Sequence, residues 1–370
     1  MSDQDHALGA YDFALPPELI AQEPLAERDA SRLLVLDRTS GRLAHRGFRE
    51  LPDLLRPGDL VVLNRSRVFP ARLLGTRPGG GAAELLLVRR REGDLWEALL
   101  RPGRRLRPGT IVDLAPGFRA RVEPGGATSG SAPDAGDGAT RLVRLLAEDA
   151  APEDLIEHHG HVPLPPYIHR PDRPADRERY QTVFAREAGS VAAPTAGLHF
   201  TPTLLERLRT RGITTASLVL HVGPGTFRPV EVEDVRAHRV LAERFTIPEE
   251  TASAIDRARR EGRRVVAVGT TTTRALESRT DASGRVLPGA GETDLVIVPG
   301  FRFRTVDALV TNFHLPRSSL LLLVSAFAGR EQLLAAYREA VAARYRFYSY
   351  GDAMLMVGPH MLRRWRSASD

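Results

Sequence analysis

The chain contains no cysteine. That absence removes disulfides, thiolate nucleophiles, cysteine-ligated zinc and iron–sulfur clusters together, so any chemistry must use oxygen and nitrogen groups. It also contains no lysine, and all 52 basic residues are arginine. A genome rich in GC accounts for that bias, yet arginine is also the better phosphate fork and base-stacking partner. A net charge of +6 permits nucleic-acid binding without requiring it. No run is long and apolar enough to span a bilayer, and the opening MSDQDHALGAYDF is too polar for a secretory signal. A cytoplasmic protein without a membrane partner is expected. HExxH spacing is missing too, and His158, His159 and His161 cluster without obvious carboxylate partners, so no metal is expected.

What is present suits a large core. At 370 residues with 42% hydrophobic content, two domains are expected. The opening segment reads as a short helix around Pro17–Ala21 and a strand over Arg32–Leu36, and DLVVLN is a further buried strand. From Ala71 to about Leu146 short alternating runs separated by Gly and Pro predict a small antiparallel barrel. Its tip, near 124–140, is Gly/Ser/Pro-rich and reads as flexible. After Glu157 helices alternate with apolar strands. That pattern predicts an α/β fold, a mixed sheet with flanking helices, made of residues 1–66 and 156–370, with the barrel of 67–155 inserted.

Several segments carry more than packing needs. YQTVFAREAGSVAAPTAGLHFT sets small residues around Pro194, Thr195, Gly197 and His199. It reads either as a tight loop around a core histidine or as a backbone that approaches a ligand. HVGPGTFRPV, with His221, Gly223 and Thr226, opens no helix and is no dinucleotide fingerprint. In VVAVGTTTTRALES a strand meets Gly269, a threonine run and a helix predicted to begin near Arg274. The threonines there serve either as plain caps or as an anion site beyond a strand end. VDALVTNFHLP places Asn312 and His314 after another strand, and YRFYSYGDAM groups aromatics with Tyr350 and Asp352.

Taken in order, YDFALPPELIA, ERDASRLLVLDR, PGDLVVLN, WEALLRPGRRL, GHVPLPPYIHRP, the Tyr180–Thr201 segment, LHVGPGTFRPV, VGTTTTRALES, VPGFRFRTVDALVTNFHLP, LLVSAFAG and YRFYSYGDAM closely resemble the S-adenosylmethionine:tRNA ribosyltransferase-isomerase family of queuosine biosynthesis. The resemblance runs almost end to end. It implies an α/β domain paired with a barrel, and a monomer. It implies S-adenosylmethionine as a ribosyl donor and co-substrate. The implied acceptor is 7-aminomethyl-7-deazaguanine at the wobble position of tRNAs with a GUN anticodon (Tyr, His, Asn, Asp). The products would be epoxyqueuosine-tRNA, adenine and methionine.

Such a reaction needs a base, an acid and a carboxylate anchor shielded from water. His199 and His314 are the acid/base candidates, and Asp352 is the adenosine- or proton-handling carboxylate. Thr195, Gly197, His221, Gly223, Thr226, Thr270, Thr272, Arg274, Asn312 and Tyr350 are expected around the co-substrate, with Thr270–Arg274 on its methionine carboxylate. Asn64, Arg67, Arg101, Arg104 and Arg105 are expected on tRNA. The chain departs from the family pattern where Met-His-Ser-Glu becomes Val240, Leu241, Ala242 and Glu243. It departs again at Asn64-Arg65-Ser66-Arg67, at Gly80-Gly81-Ala82-Ala83-Glu84, which lacks the family lysine, and at Pro224. These changes leave two rival readings: a paralogue acting on a free deazapurine or other small acceptor, and a non-catalytic tRNA-binding relative.

Overall fold

The computed structural model describes residues 3–125, 140–227 and 229–358. The strands, in chain order, are β1 (Arg32–Asp37), β2 (Leu43–Gly47), β3 (Leu60–Asn64), β4 (Ser66–Val68), β5 (Arg72–Arg77), β6 (Gly81–Arg90), β7 (Leu95–Arg101), β8 (Ile111–Ala115), β9 (Phe118–Val122), β10 (Thr140–Ala147), β11 (Glu187–Ser190), β12 (Thr214–Leu220), β13 (Glu243–Ile247), β14 (Val265–Val268), β15 (Gly289–Thr293), β16 (Ala308–Asn312) and β17 (Ala353–Val357). Nine of them form one mixed sheet, ordered β15-β13-β12-β3-β14-β16-β17-β1-β2, and β5–β10 close an antiparallel barrel. Both expected architectures are present.

Burial on both faces explains why the central strands read as unbroken apolar runs. Leu60 and Val62 of β3 enter one core with Leu218, Ile255 and Leu321, while Val61 and Leu63 face a second core with Leu204 and Leu208. The helix Glu249–Arg260 buries Ala252, Ile255 and Ala258, and it carries Glu249 and Glu250 in its first turn and Arg257, Arg259 and Arg260 in its last. Those charges complement the helix dipole. Helix Pro202–Thr210 begins where Thr201 accepts the Leu204 amide, and it buries Leu204 and Leu208 on the other face. Leu73, Leu85, Ala98, Val112, Phe118 and Val143 fill the barrel.

Two local expectations change. The helix around Pro17–Ala21 is a single 3₁₀ turn, Pro17–Leu19. The helix expected near Arg274 starts at Thr270 and runs to Ser278. Weak helix propensity of threonine is overridden there, because all four threonines are buried. The tip near 124–140 falls almost wholly outside the described residues.

The topology sets where a ligand can bind. Strands β12, β3, β14 and β16 are parallel neighbours, so Leu220, Asn64, Val268 and Asn312 end at the same sheet edge. β17 runs antiparallel to β16 and parallel to β1, which brings Asp352 and Ser31 to that edge from the other direction. The chain leaves β3 through β4, builds the barrel, and returns through β11, which pairs with β4 in parallel.

Candidate active site

The carboxyl edge of the parallel strands gathers most of the expected residues, as α/β sheets do. Gly269 follows β14 at φ 93°, a left-handed conformation suited to glycine, and starts the helix Thr270–Ser278. Thr272 and Thr273 turn their hydroxyls back to the carbonyls of Val268 and Gly269, at 2.7 and 3.1 Å. Thr272 is therefore a helix residue in the core and no ligand contact. Thr270 and Thr271 instead line a small cavity of about 40 Å³ with Thr195, Asn312, His314 and Tyr348. A helix N-terminus that opens into a cavity presents free amides and a positive dipole end. Gly197 does not face this cavity: a Cβ there would meet Phe184 and Thr182 at 2.8 Å, so close packing explains the glycine.

Of the two candidate histidines, His314 lines this cavity and His199 lines a separate narrow cleft. His199 is buried, stacks on Phe48 at 4.8 Å, and sets Nδ1 2.7 Å from Ser31 Oγ. Its Nε2 and Oδ1 of buried Asn312 make no hydrogen bond of good geometry among the described residues, although the Asn312 side chain lies close enough to interact with the ring. Asn312 is held through Nδ2, which donates to the carbonyls of Tyr348 and Ser349 at 2.8 and 3.4 Å. Burial lowers the His199 pKa to about 4, partly opposed by nearby Asp352 and Asn312. His314 has Nε2 2.9 Å from Thr311 Oγ1, and burial lowers its pKa to about 3. Both rings are neutral at pH 7.

Asp352 differs from expectation. Its carboxylate accepts from the Arg32 amide at 2.9 Å, Arg32 Nε at 3.2 Å, Arg32 Nη2 at 3.0 Å and the Arg346 amide at 2.8 Å. With its lone pairs so engaged it clamps Arg32 and biases His199 through space, and it lines none of the cavities described here. Tyr350 is buried and donates to Asp176 at 3.1 Å. It lines a narrow cleft with Ser31, Arg28 and His199, and burial pushes its pKa up.

A larger cavity of about 290 Å³ opens between the barrel and the sheet and meets the first at Val222, Thr226 and Leu320. Glu243 is its buried centre. It accepts from the Gly223 amide at 2.9 Å and the Thr226 hydroxyl at 3.2 Å, and it pairs with Arg274. Arg274 also donates to the carbonyls of Leu295 and Thr293, at 2.9 and 3.4 Å. Its donors are thus committed to the protein rather than turned to a ligand. His221 lines the larger cavity with its Nδ1 unpartnered, and burial lowers its pKa. Val240, Leu241 and Ala242, the residues that replace the family's Met-His-Ser, form part of the same wall.

Of the residues expected on tRNA, Arg67, Arg101, Arg104 and Arg105 are exposed. Asn64 is not: it is 1% exposed. Its amide donates to the Leu220 carbonyl at 2.9 Å, and its Oδ1 accepts from the Leu220 and Ser66 amides at 3.0 and 3.1 Å. Asn64 ties β3 to β12 and cannot reach a nucleic acid. Sequence reasoning passed over Ser31, Arg32 and the central place of Glu243. Only the retention of Glu243 amid three altered neighbours hinted at the last.

The family described as queuosine biosynthesis protein matches residues 8–356. The S-adenosylmethionine:tRNA ribosyltransferase-isomerase of Geobacter sulfurreducens is 53% identical over 348 residues, 94% of this chain and 98% of that one. Its namesake from Moorella thermoacetica is 53% identical over 349 residues, with the same coverage. The crystal structure of S-adenosylmethionine tRNA ribosyltransferase from Thermotoga maritima is 40% identical, covers 94% of this chain and all of that one, and superposes with a TM-score of 0.53. The chain belongs to the S-adenosylmethionine:tRNA ribosyltransferase-isomerase family of queuosine biosynthesis enzymes.

Proposed function

We propose that this protein transfers and isomerises the ribosyl group of S-adenosylmethionine onto 7-aminomethyl-7-deazaguanine at the wobble position of GUN-anticodon tRNAs. The products are epoxyqueuosine-tRNA, adenine and methionine, made in the cytoplasm by a monomer in a reaction that calls for no metal. The observation that carries the reading is the buried apposition of the His199 and Asn312 side chains, with Asn312 lining the cavity at the helix N-terminus and neither Nε2 nor Oδ1 engaged in a well-formed hydrogen bond among the described residues. A neutral imidazole held at Nδ1 by Ser31 keeps Nε2 for a proton, and burial there excludes competing water. The Thr270 and Thr271 amides suit the methionine carboxylate. Asn312 offers an acceptor to an amine or a purine edge. The larger cavity, wide and walled partly by the barrel, suits the incoming nucleotide. Exposed Arg67, Arg101, Arg104 and Arg105 suit its backbone.

The test is release of adenine and methionine with and without tRNA carrying the 7-aminomethyl base. Release that requires this tRNA supports the reading, and bound donor without release refutes it. The apolar Val240-Leu241-Ala242 wall favours one rival, transfer to a free deazapurine. Turnover of the free base combined with weak tRNA affinity identifies that rival. On the leading reading, restoring L241H and A242S together leaves tRNA-dependent turnover within about fivefold of wild type, because a wall contact of this kind contributes only about 1 kcal/mol.

A further inference from the structure

The larger cavity contains a charge arrangement that the chemistry above does not use. Arg244, on β13, is half-buried and forms no ion pair or side-chain hydrogen bond among the described residues. Arg89 and Arg91 reach the same cavity from β6 and the turn after it. Each of those two has a carboxylate: Arg89 pairs with Glu292 at 3.0 Å, and Arg91 pairs with Glu97. Arg244 itself makes no direct ion pair among the described residues, and it stands in a cluster of three arginines against two carboxylates, Glu97 and Glu292, the latter opposite it across β13 and β15, which leaves one positive charge in excess. Burial lowers its pKa first, and Arg89 and Arg91 add to that, with Glu292 and Glu97 partly opposing them. A half-buried cation in that setting is costly unless a mobile anion completes it.

We infer that Arg244, flanked by Arg89 and Arg91, binds a backbone phosphate of the RNA substrate at the mouth of the cleft between barrel and sheet. The inference rests on the function proposed above, because it supplies a contact for the same acceptor. A phosphate fits better than the donor's carboxylate for two reasons. The three arginines are only partly buried, at a wide mouth, whereas a small carboxylate is matched by the enclosed helix N-terminus at Thr270. The guanidinium fork also matches phosphate geometry, and a site fed by both domains reads a ligand that bridges them. Such a contact positions the strand and is indifferent to base identity.

The experiment measures the affinity of wild type and R244Q for unmodified tRNA across a salt series, and the affinity for S-adenosylmethionine without tRNA. R244K serves as a charge-conserving control for folding. The expected result is weaker tRNA binding for R244Q, with the slope of log K against log salt shallower by about one phosphate contact. R244K keeps the slope. An unchanged slope in R244Q overturns the inference, and so does a loss of S-adenosylmethionine affinity with the slope retained, which would assign Arg244 to the donor. Wild type that shows no tRNA binding overturns both this inference and the function on which it rests. Wild type that releases adenine with tRNA while R244Q keeps the full slope overturns this inference alone.

Discussion

Replacing Arg274 by leucine separates two roles for one side chain. In the structure Arg274 and Glu243 are 10% and 6% exposed and pair with each other, while the carbonyls of Leu295 and Thr293 take further Arg274 donors. Removing the cation leaves the Glu243 carboxylate buried, with only the Gly223 amide and Thr226 hydroxyl to satisfy it. Breaking one side of a buried pair costs about 3–5 kcal/mol. At roughly 2–4 °C per kcal/mol for a domain of this size, Arg274→Leu lowers Tm by on the order of 10 °C. Adding Glu243→Leu removes the orphaned charge, so the double variant recovers part of that loss, leaving about 1–3 kcal/mol for the unpaired amide, hydroxyl and carbonyls. Thermal unfolding followed by circular dichroism, with S-adenosylmethionine titrated into each variant, measures both quantities. An Arg274→Leu protein that melts within about 2 °C of wild type but no longer binds the donor would refute the structural assignment. The arginine would then hold the ligand, as its place after the threonine run had suggested.

Other outcomes follow from the same geometry. His199→Gln keeps S-adenosylmethionine affinity and loses about 10²–10⁴ in turnover, as removal of a proton-transfer group does; adenine release close to the wild-type rate removes His199 from the chemistry. The folded-state pKa values of His199 and His314, about 4 and about 3, lie below the unfolded 6.5. The folded state thus refuses protons that the unfolded state accepts, and stability present above pH 6.5 is lost as pH falls toward 4, by about 1.4 kcal/mol per pH unit for each ring. His314→Gln therefore shows a shallower fall in Tm between pH 6.5 and 4.5, and a slope equal to that of wild type contradicts the burial argument. Gly197→Ala presses a methyl onto Phe184 and Thr182, so it destabilises by about 1–3 kcal/mol in urea unfolding while donor affinity holds. Lost affinity at unchanged stability would return Gly197 to the ligand.

The sheet was legible because its strands announce themselves locally: Leu60–Leu63, Val265–Val268 and Met354–Val357 are buried on both faces, and each reads as an apolar run. The barrel was legible through alternation, with Leu85 and Leu87 inside and their neighbours outside. Residue type located the site's edge as well, since Thr270, Asn312 and His199 follow strands or crowd among small residues. Partnership was not legible. Ser31 meets His199 across 168 positions, and Arg274 meets Glu243 across 31. Nothing near Arg274 in sequence shows that its donors are already used. Asn64 misled for the same reason: beside exposed arginines it suggests a surface contact, yet β12 closes over it.

The pairing of β4 with β11 has a consequence for how the molecule folds. β3 and β12 are sheet neighbours, but the entire barrel lies between them in the chain. Bringing them together from an open chain carries the entropy of closing a very long loop. The barrel's strands mostly pair with near neighbours in sequence, so their contacts form at lower cost. Once the barrel has closed, its two ends emerge side by side as β4 and β11, stapled by Gln181 to the backbone of Val68. The long loop has then become a short one. A destabilised barrel would slow assembly of the sheet edge that carries the site, and refolding rate would report the defect before equilibrium activity did.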